Sequence, residues 1–209
     1  MPQATNLARL GWLQHGFGQR DSACPSQITT LRQIHSAKVV DAAGRRGDRI
    51  EEGDALISGT PGLNVGIRTA DCVPILIADA RLRVVAALHA GWRGTAAGIV
   101  AGTLLHMKET FGSQAGDLVA AVGPCIGACC YEVGPEVARQ FGRWCPELEQ
   151  VTSKVKLDLA ALHAMELRRL GVTDVWVAGE CTFCLAERYY SFRREREEAG
   201  RMLSYAGVT

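Results

Sequence analysis

Between Asp54 and Leu88 four short apolar runs follow one another: Ala55-Leu56-Ile57, Val65-Gly66-Ile67, Val73 to Ala78 and Val84 to Leu88. Turn-forming residues separate them. Runs this short and rich in Val and Ile read as strands buried on both faces, and such strands need cover above and below. Asp79-Ala80-Arg81 leaves room only for a hairpin loop between the last two runs, so they pair antiparallel. Their far ends, Cys72 and His89, then meet at one sheet edge. Polar, metal-capable side chains at the mouths of buried strands are where enzymes keep their chemistry.

The remainder supplies the cover. Thr95 reads as the N-cap of a helix reaching Phe111, with Ile99, Val100, Thr103, Leu104 and Met107 at helical spacing and Gly112 as its stop. A second long helix spans Asp158 to Leu170, with Leu159, Leu162, Met165 and Leu170 inward and Gly171 beyond it. A further helix starts near Pro135. Ala37 to Val40, Asp117 to Val122 and Val175 to Val177 read as strands, and Met202 to Tyr205 closes the sheet. The first 34 residues are weakly patterned, and Gly44 to Gly53 reads as an exposed loop. Hairpins mixed with strand–helix crossovers favour an α+β fold of mixed β-sheets flanked by helices. With 209 residues, 47% of them hydrophobic, one domain over 1–209 is the expectation.

The formal charge of +1 leaves no polyanion footprint, which argues against nucleic acid or an acidic membrane surface as a partner. The N-terminus lacks a secretory profile, and no apolar run approaches the ~20 residues that span a bilayer. A cytoplasmic protein acting on a small molecule is expected. Its oligomeric state is open.

Eight cysteines in such a chain are more often core residues, ligands or nucleophiles than disulfides, and at least five are expected in the core. Cys181-Thr-Phe-Cys184 is a C-x-x-C that no second C-x-x-C or nearby histidine completes, so it reads as structural. Cys125 sits in a glycine-rich turn after a strand and could line a site. Of the five histidines, His15, His106 and His163 read as structural, with His106 exposed on its helix. His35 and His89, with Cys72, make three borderline-soft ligands, the number used by a catalytic zinc that keeps one position open. Copper accepts the same set. The rival reading makes Cys72 a nucleophile with His89 as its base. Asp71 is either a general acid/base or a turn carboxylate. Gly91-Trp92-Arg93-Gly94-Thr95 opens a helix and suits an anion, as do Arg20, Arg68, Arg93 and Arg193 at loop or strand-end positions.

The motifs QIHS (33–36), GDALIS (53–58), TADCVPI (69–75), HAGWRG (89–94), GPCIGACCYEVG (123–134), LDL (157–159), CTF (181–183) and SFRR (191–194) together resemble the multicopper polyphenol oxidase (laccase-domain) family, which includes bacterial peptidoglycan editing factors. The resemblance implies a single α+β laccase domain, sometimes grouped with cysteine-hydrolase folds, and a metal set that falls on His35, Cys72 and His89. It implies purine nucleoside phosphorylase activity (adenosine, inosine, methylthioadenosine) with adenosine deaminase activity, zinc-dependent with copper possible. Peptidoglycan-precursor editing and laccase-like polyphenol oxidation are the alternatives, the last disfavoured by only five histidines. On this reading Cys72, His89 and Asp71 are catalytic, and Arg20, Arg93 and Arg193 bind phosphate. The family's N-terminal turn is represented by Gly18-Gln19-Arg20-Asp21, with much of the following segment missing.

Overall fold

A computed structural model describes residues 2–209. Twelve strands are present among them: β1 (Leu13–Gly16), β2 (Ile28–Thr30), β3 (Val39–Asp41), β4 (Ala55–Ser58), β5 (Asn64–Thr69), β6 (Val73–Asp79), β7 (Val84–Ala90), β8 (Leu118–Val122), β9 (Glu132–Val133), β10 (Val155–Lys156), β11 (Asp174–Val177) and β12 (Met202–Val208). Five α-helices join them: α1 (Trp92–Ala96), α2 (Ile99–Phe111), α3 (Pro135–Ala138), α4 (Leu159–Arg169) and α5 (Phe192–Glu195).

A six-stranded mixed sheet runs in the order β11-β8-β6-β7-β4-β3. At its centre lies the expected β6–β7 hairpin, antiparallel, with Val73 opposite Ala90 and Pro74 opposite His89. Every residue of both strands is buried. Their turn is locked by the buried Asp79 carboxylate, which accepts from the Arg81 and Leu82 amides at 2.9 and 2.8 Å. Alternation along the hairpin sends Ile75, Ile77, Ala86 and Leu88 to one core and Leu76, Ala78, Val85 and Ala87 to the other. The first core is covered by α2 and α4, through Ile99, Val100, Met107, Leu159, Leu162 and Leu167. The second is closed by a four-stranded sheet, β1-β12-β5-β2, through Val65, Ile67, Ala206 and Val208. The result is three layers, helices on sheet on sheet. Val65-Gly66-Ile67 therefore belongs to the outer sheet rather than beside its sequence neighbours.

Local chemistry moves several boundaries. Thr95 is not an N-cap: it sits inside α1, and its hydroxyl donates to the Gly91 carbonyl and meets His163 Nε2, both at 2.9 Å. Gly98, with φ +83°, then breaks the helix before α2 begins. Gly112 ends α2 in the left-handed conformation, as expected. Asp158 caps α4, accepting from the Ala161 amide at 2.8 Å. Leu170 is 39% exposed rather than inward, while His163 and Glu166 turn toward the core. His106 is half-buried rather than exposed. The weakly patterned N-terminus holds two strands of the outer sheet. No helix among the described residues is long and apolar enough to cross a membrane.

Candidate metal centre and active site

The hairpin delivers its two open ends to one place. Cys72 immediately precedes β6 and His89 lies one residue from the end of β7. Asp54, just before β4, is placed opposite His89 by the β4–β7 register, and its carbonyl accepts the His89 amide at 2.7 Å. The fully buried Asp54 carboxylate is the hub. It accepts from His89 Nδ1 at 2.8 Å, from the His35 amide at 3.0 Å, and from the Ser36 amide and hydroxyl at 2.6 and 2.7 Å. Burial raises its pKa, but His89 and Ser36 outweigh that and hold it below the ordinary carboxylate value. One carboxylate thus orients a strand imidazole and fixes the loop that carries His35.

That loop is under conformational constraint. His35 has φ +57° and Asp71 φ +87°, both in the region L-residues avoid, and such backbone persists where its surroundings over-determine it. Two glycines make room. A Cβ on Gly91 would stand 3.0 Å from Cys72 Sγ and 3.2 Å from His35 Cδ2, and one on Gly94 would meet the Ser36 carbonyl oxygen at 2.7 Å. HAGWRG therefore reads as a strand end whose glycines let the histidine loop lie flat against it.

The ligand atoms of His35, Cys72 and His89 lie within 4.8 Å of one another. The two imidazoles meet edge to face, with centroids 4.8 Å apart. Because His89 Nδ1 is committed to Asp54, its Nε2 is the nitrogen left for a ligand, the carboxylate–histidine arrangement that supports metal sites. Burial pushes the Cys72 thiol up, but hydrogen bonds from His35 and His89 and their charge bring it down to about 6. Burial lowers His89, while Asp54 and Cys72 raise it to about 9. A thiolate and two imidazoles facing one point, one of them carboxylate-oriented, fit a borderline-soft cation such as zinc.

The three donors open into a cavity of ≈ 760 Å³, within the range of small-molecule sites. Seven arginines line it, Arg32, Arg49, Arg68, Arg93, Arg193, Arg196 and Arg201, together with Trp92, Tyr131 and Phe192. Arg93 stacks 4.5 Å from the Trp92 ring centroid and Arg193 lies 5.4 Å from that of Tyr131. Arg93 and Arg193, the arginines expected to hold an anion, thus line the same cavity as the donor set. Arg20 is not. Its guanidinium ion-pairs with Glu195, donates to the Ala186 carbonyl at 2.8 Å and lies 4.1 Å from the Tyr190 ring centroid, away from the cavity lining.

Asp71 lines the cavity, but its carboxylate is spent on the chain around it. It accepts from the Thr182 hydroxyl at 2.7 Å, the Ser191 hydroxyl at 3.0 Å and the Arg193 amide at 2.6 Å. Of the two roles open to it, that of a turn carboxylate fits these three bonds. It ties CTF and SFRR to the strand end that carries Cys72. The cysteine expectation is corrected: Cys125 alone of the eight is fully buried. Cys181 and Cys184 are completed by Cys129 and Cys130, with all four ligand atoms within 4.8 Å. Asp54 was missed as well, although an acid directly before an apolar strand is a legible signal.

A buried hairpin thus presents Cys72 and His89 to an arginine-rich cavity, an arrangement that suits metal-assisted chemistry. The sequence matches the family described as multi-copper polyphenol oxidoreductase laccase over residues 17–209, and the chain belongs to it. It is 39% identical to a purine nucleoside phosphorylase of Deinococcus radiodurans over 212 residues, covering 99% of this chain and 78% of that protein. Among solved structures it is similar to Neisseria meningitidis protein NMB0706, at TM-score 0.75 and 35% identity, covering 87% of this chain and 74% of that one. The fold also matches a Bacillus licheniformis hypothetical protein over 100% of this chain and 97% of the other, at TM-score 0.87 and 24% identity.

Proposed function

We propose that the chain is a zinc-dependent purine nucleoside phosphorylase that also deaminates adenosine. The observation that carries this reading is the juxtaposition of the His35–Cys72–His89 donors with an arginine-lined cavity, so that an anion and a neutral ring system can be held side by side. The relatives named purine nucleoside phosphorylase support it. Phosphorolysis forms a bond from a phosphate oxygen to the sugar C1′ as the bond from C1′ to the base nitrogen breaks, and the departing base takes a proton. Arg93 and Arg193 hold the phosphate and offset the charge it brings. Trp92, Tyr131 and Phe192 supply faces on which the base can stack. Asp54 keeps His89 in one tautomer and orientation, and Asp71 fixes the backbone of Arg193.

His35, Cys72 and His89 would hold the metal. When bound, it supplies Lewis acidity and lowers the pKa of water toward ~7, the chemistry that deamination at the purine C6 requires. Water adds there and ammonia leaves. Incubating the protein with adenosine or inosine, with and without phosphate, tests both activities. Free base is expected only with phosphate, and inosine from adenosine in either condition. No base release in either condition would sink the phosphorylase reading.

The Asp54–His89–Cys72 relay favours one second reading. A thiolate beside an imidazole ordered by a buried carboxylate is the arrangement of a cysteine nucleophile, which would suit hydrolytic editing of a peptidoglycan precursor. Intact-mass detection of a Cys72 acyl adduct with a muropeptide substrate would establish it.

A further inference from the structure

The loop after β8 and the loop after β11 carry a second donor cluster. The main chains of the two loops run together. Cys125 and Cys181 form an isolated parallel bridge, the Cys125 amide donates to the Glu180 carbonyl at 3.3 Å, and the Thr182 amide donates to the Cys125 carbonyl at 2.9 Å. Past this bridge the first loop curls: the Cys130 and Tyr131 amides both donate to the Gly127 carbonyl at 2.9 Å. A tight turn of this kind brings two successive side chains, Cys129 and Cys130, toward the partner loop, where an extended strand would point them apart. Cys184 Sγ lies 3.6 Å from Cys129 Sγ and 3.4 Å from Cys130 Sγ. Cys181 Sγ accepts from the Gly127 amide at 3.2 Å. All four thiols are free and none is in the core.

We propose that Cys129, Cys130, Cys181 and Cys184 bind one zinc ion as a closed tetrathiolate site that staples these two loops together. Zinc–sulfur bonds of about 2.3 Å in a tetrahedron set sulfur atoms about 3.8 Å apart, close to the spacing found here. An iron–sulfur cluster would need its thiolates spread around several metal atoms, further apart than 4.8 Å allows. Four thiols crowded at the surface repel once ionised. A divalent cation turns that repulsion into attraction, and the thiols lose their protons as it binds. The Gly127 amide, aimed at Cys181 Sγ, is the sort of second partner that steadies a metal-bound sulfur. The staple reaches the cavity, because Ile126 and Tyr131 on one loop and the Asp71-bound Thr182 on the other form or support its wall. The site is structural: four protein ligands leave no open position.

The experiment uses the full chain purified without added metal. Cys72→Ser vacates the first donor set, and elemental analysis then counts the zinc that remains. About one zinc per chain is expected, lost on combining it with Cys129→Ser and Cys184→Ser. Because that triple variant could fail to fold, the same question is put to Cys72→Ser alone with a thiol reagent. The four thiols should stay silent toward Ellman's reagent until a chelator is added, after which all seven remaining thiols react in denaturant. No zinc with freely reacting thiols would overturn the proposal, as would fewer than seven thiols in denaturant, the mark of a disulfide, or iron or copper in place of zinc.

Discussion

The two donor clusters are built from different materials. His35, Cys72 and His89 hang on strand ends and on a loop pinned by a buried carboxylate, and they open into a large cavity. Cys129, Cys130, Cys181 and Cys184 sit on two surface loops held by a single main-chain bridge. Three protein donors with an open side suit chemistry, whereas four with none suit a staple. Rigid strands set the geometry where a reaction depends on it. In the loops the ion itself would do the positioning. The difference also explains Asp54, since a mixed histidine site needs a second partner to choose the nitrogen it presents, while a thiolate needs only to lose its proton.

Substitutions break this contrast to different degrees. Cys72→Ala removes a donor from the open site and should abolish base release and metal retention there. Between the metal-free forms, unfolding should change by no more than about 1 kcal/mol, because the residue is only half-buried. Denaturant melts beside nucleoside assays separate the two effects. Asp54→Asn keeps the shape but sets an amide against groups that all donate to the carboxylate. Activity should fall about 10- to 100-fold, with a loss of stability of about 1–3 kcal/mol. Asp71→Asn sharpens the assignment made from its three donors: a positioning role predicts a raised KM for phosphate with kcat nearly kept. Loss of kcat at saturating phosphate would favour an acid/base role.

Proton linkage gives smaller effects. In metal-free protein, alkylation of Cys72 by iodoacetamide should rise as pH increases through about 6, because the thiolate is the reactive form. Cys125, whose thiol burial pushes upward, should remain inert over the same range. His15 is buried in β1, and burial holds its pKa below 6.5 against a weaker opposing bond to the Ala4 backbone. The unfolded chain therefore takes up this proton first as pH falls. The His15 contribution to stability is constant above about 6.5 and declines below it. His15→Gln should flatten that decline in denaturant titrations.

Much of this was legible in the sequence. The β6–β7 hairpin and the convergence of Cys72 with His89 follow from two apolar runs and the short gap between Ala78 and Val84, because buried strands with a short connection have one arrangement open to them. The α+β class and the Gly112 stop follow from equally local rules. What was not legible depends on pairing between distant segments. Asp54 meets His89 only through the β4–β7 register. Arg20 is withdrawn from the cavity by Glu195, 175 residues away. Cys129 and Cys130 complete the C-x-x-C across more than fifty residues, where spacing carries no signal. The Thr95 error has a local cause: a left-handed Gly98 splits one periodic stretch into two helices.

The open site's role rests most directly on where the phosphate goes. Phosphorus NMR of the metal-loaded protein with inosine and inorganic phosphate follows both halves of the reaction at once. The account predicts a sugar-1-phosphate signal that grows in step with the hypoxanthine released, and neither in Cys72→Ala. Hypoxanthine released while the phosphate signal stays unchanged would mean hydrolysis and would contradict it.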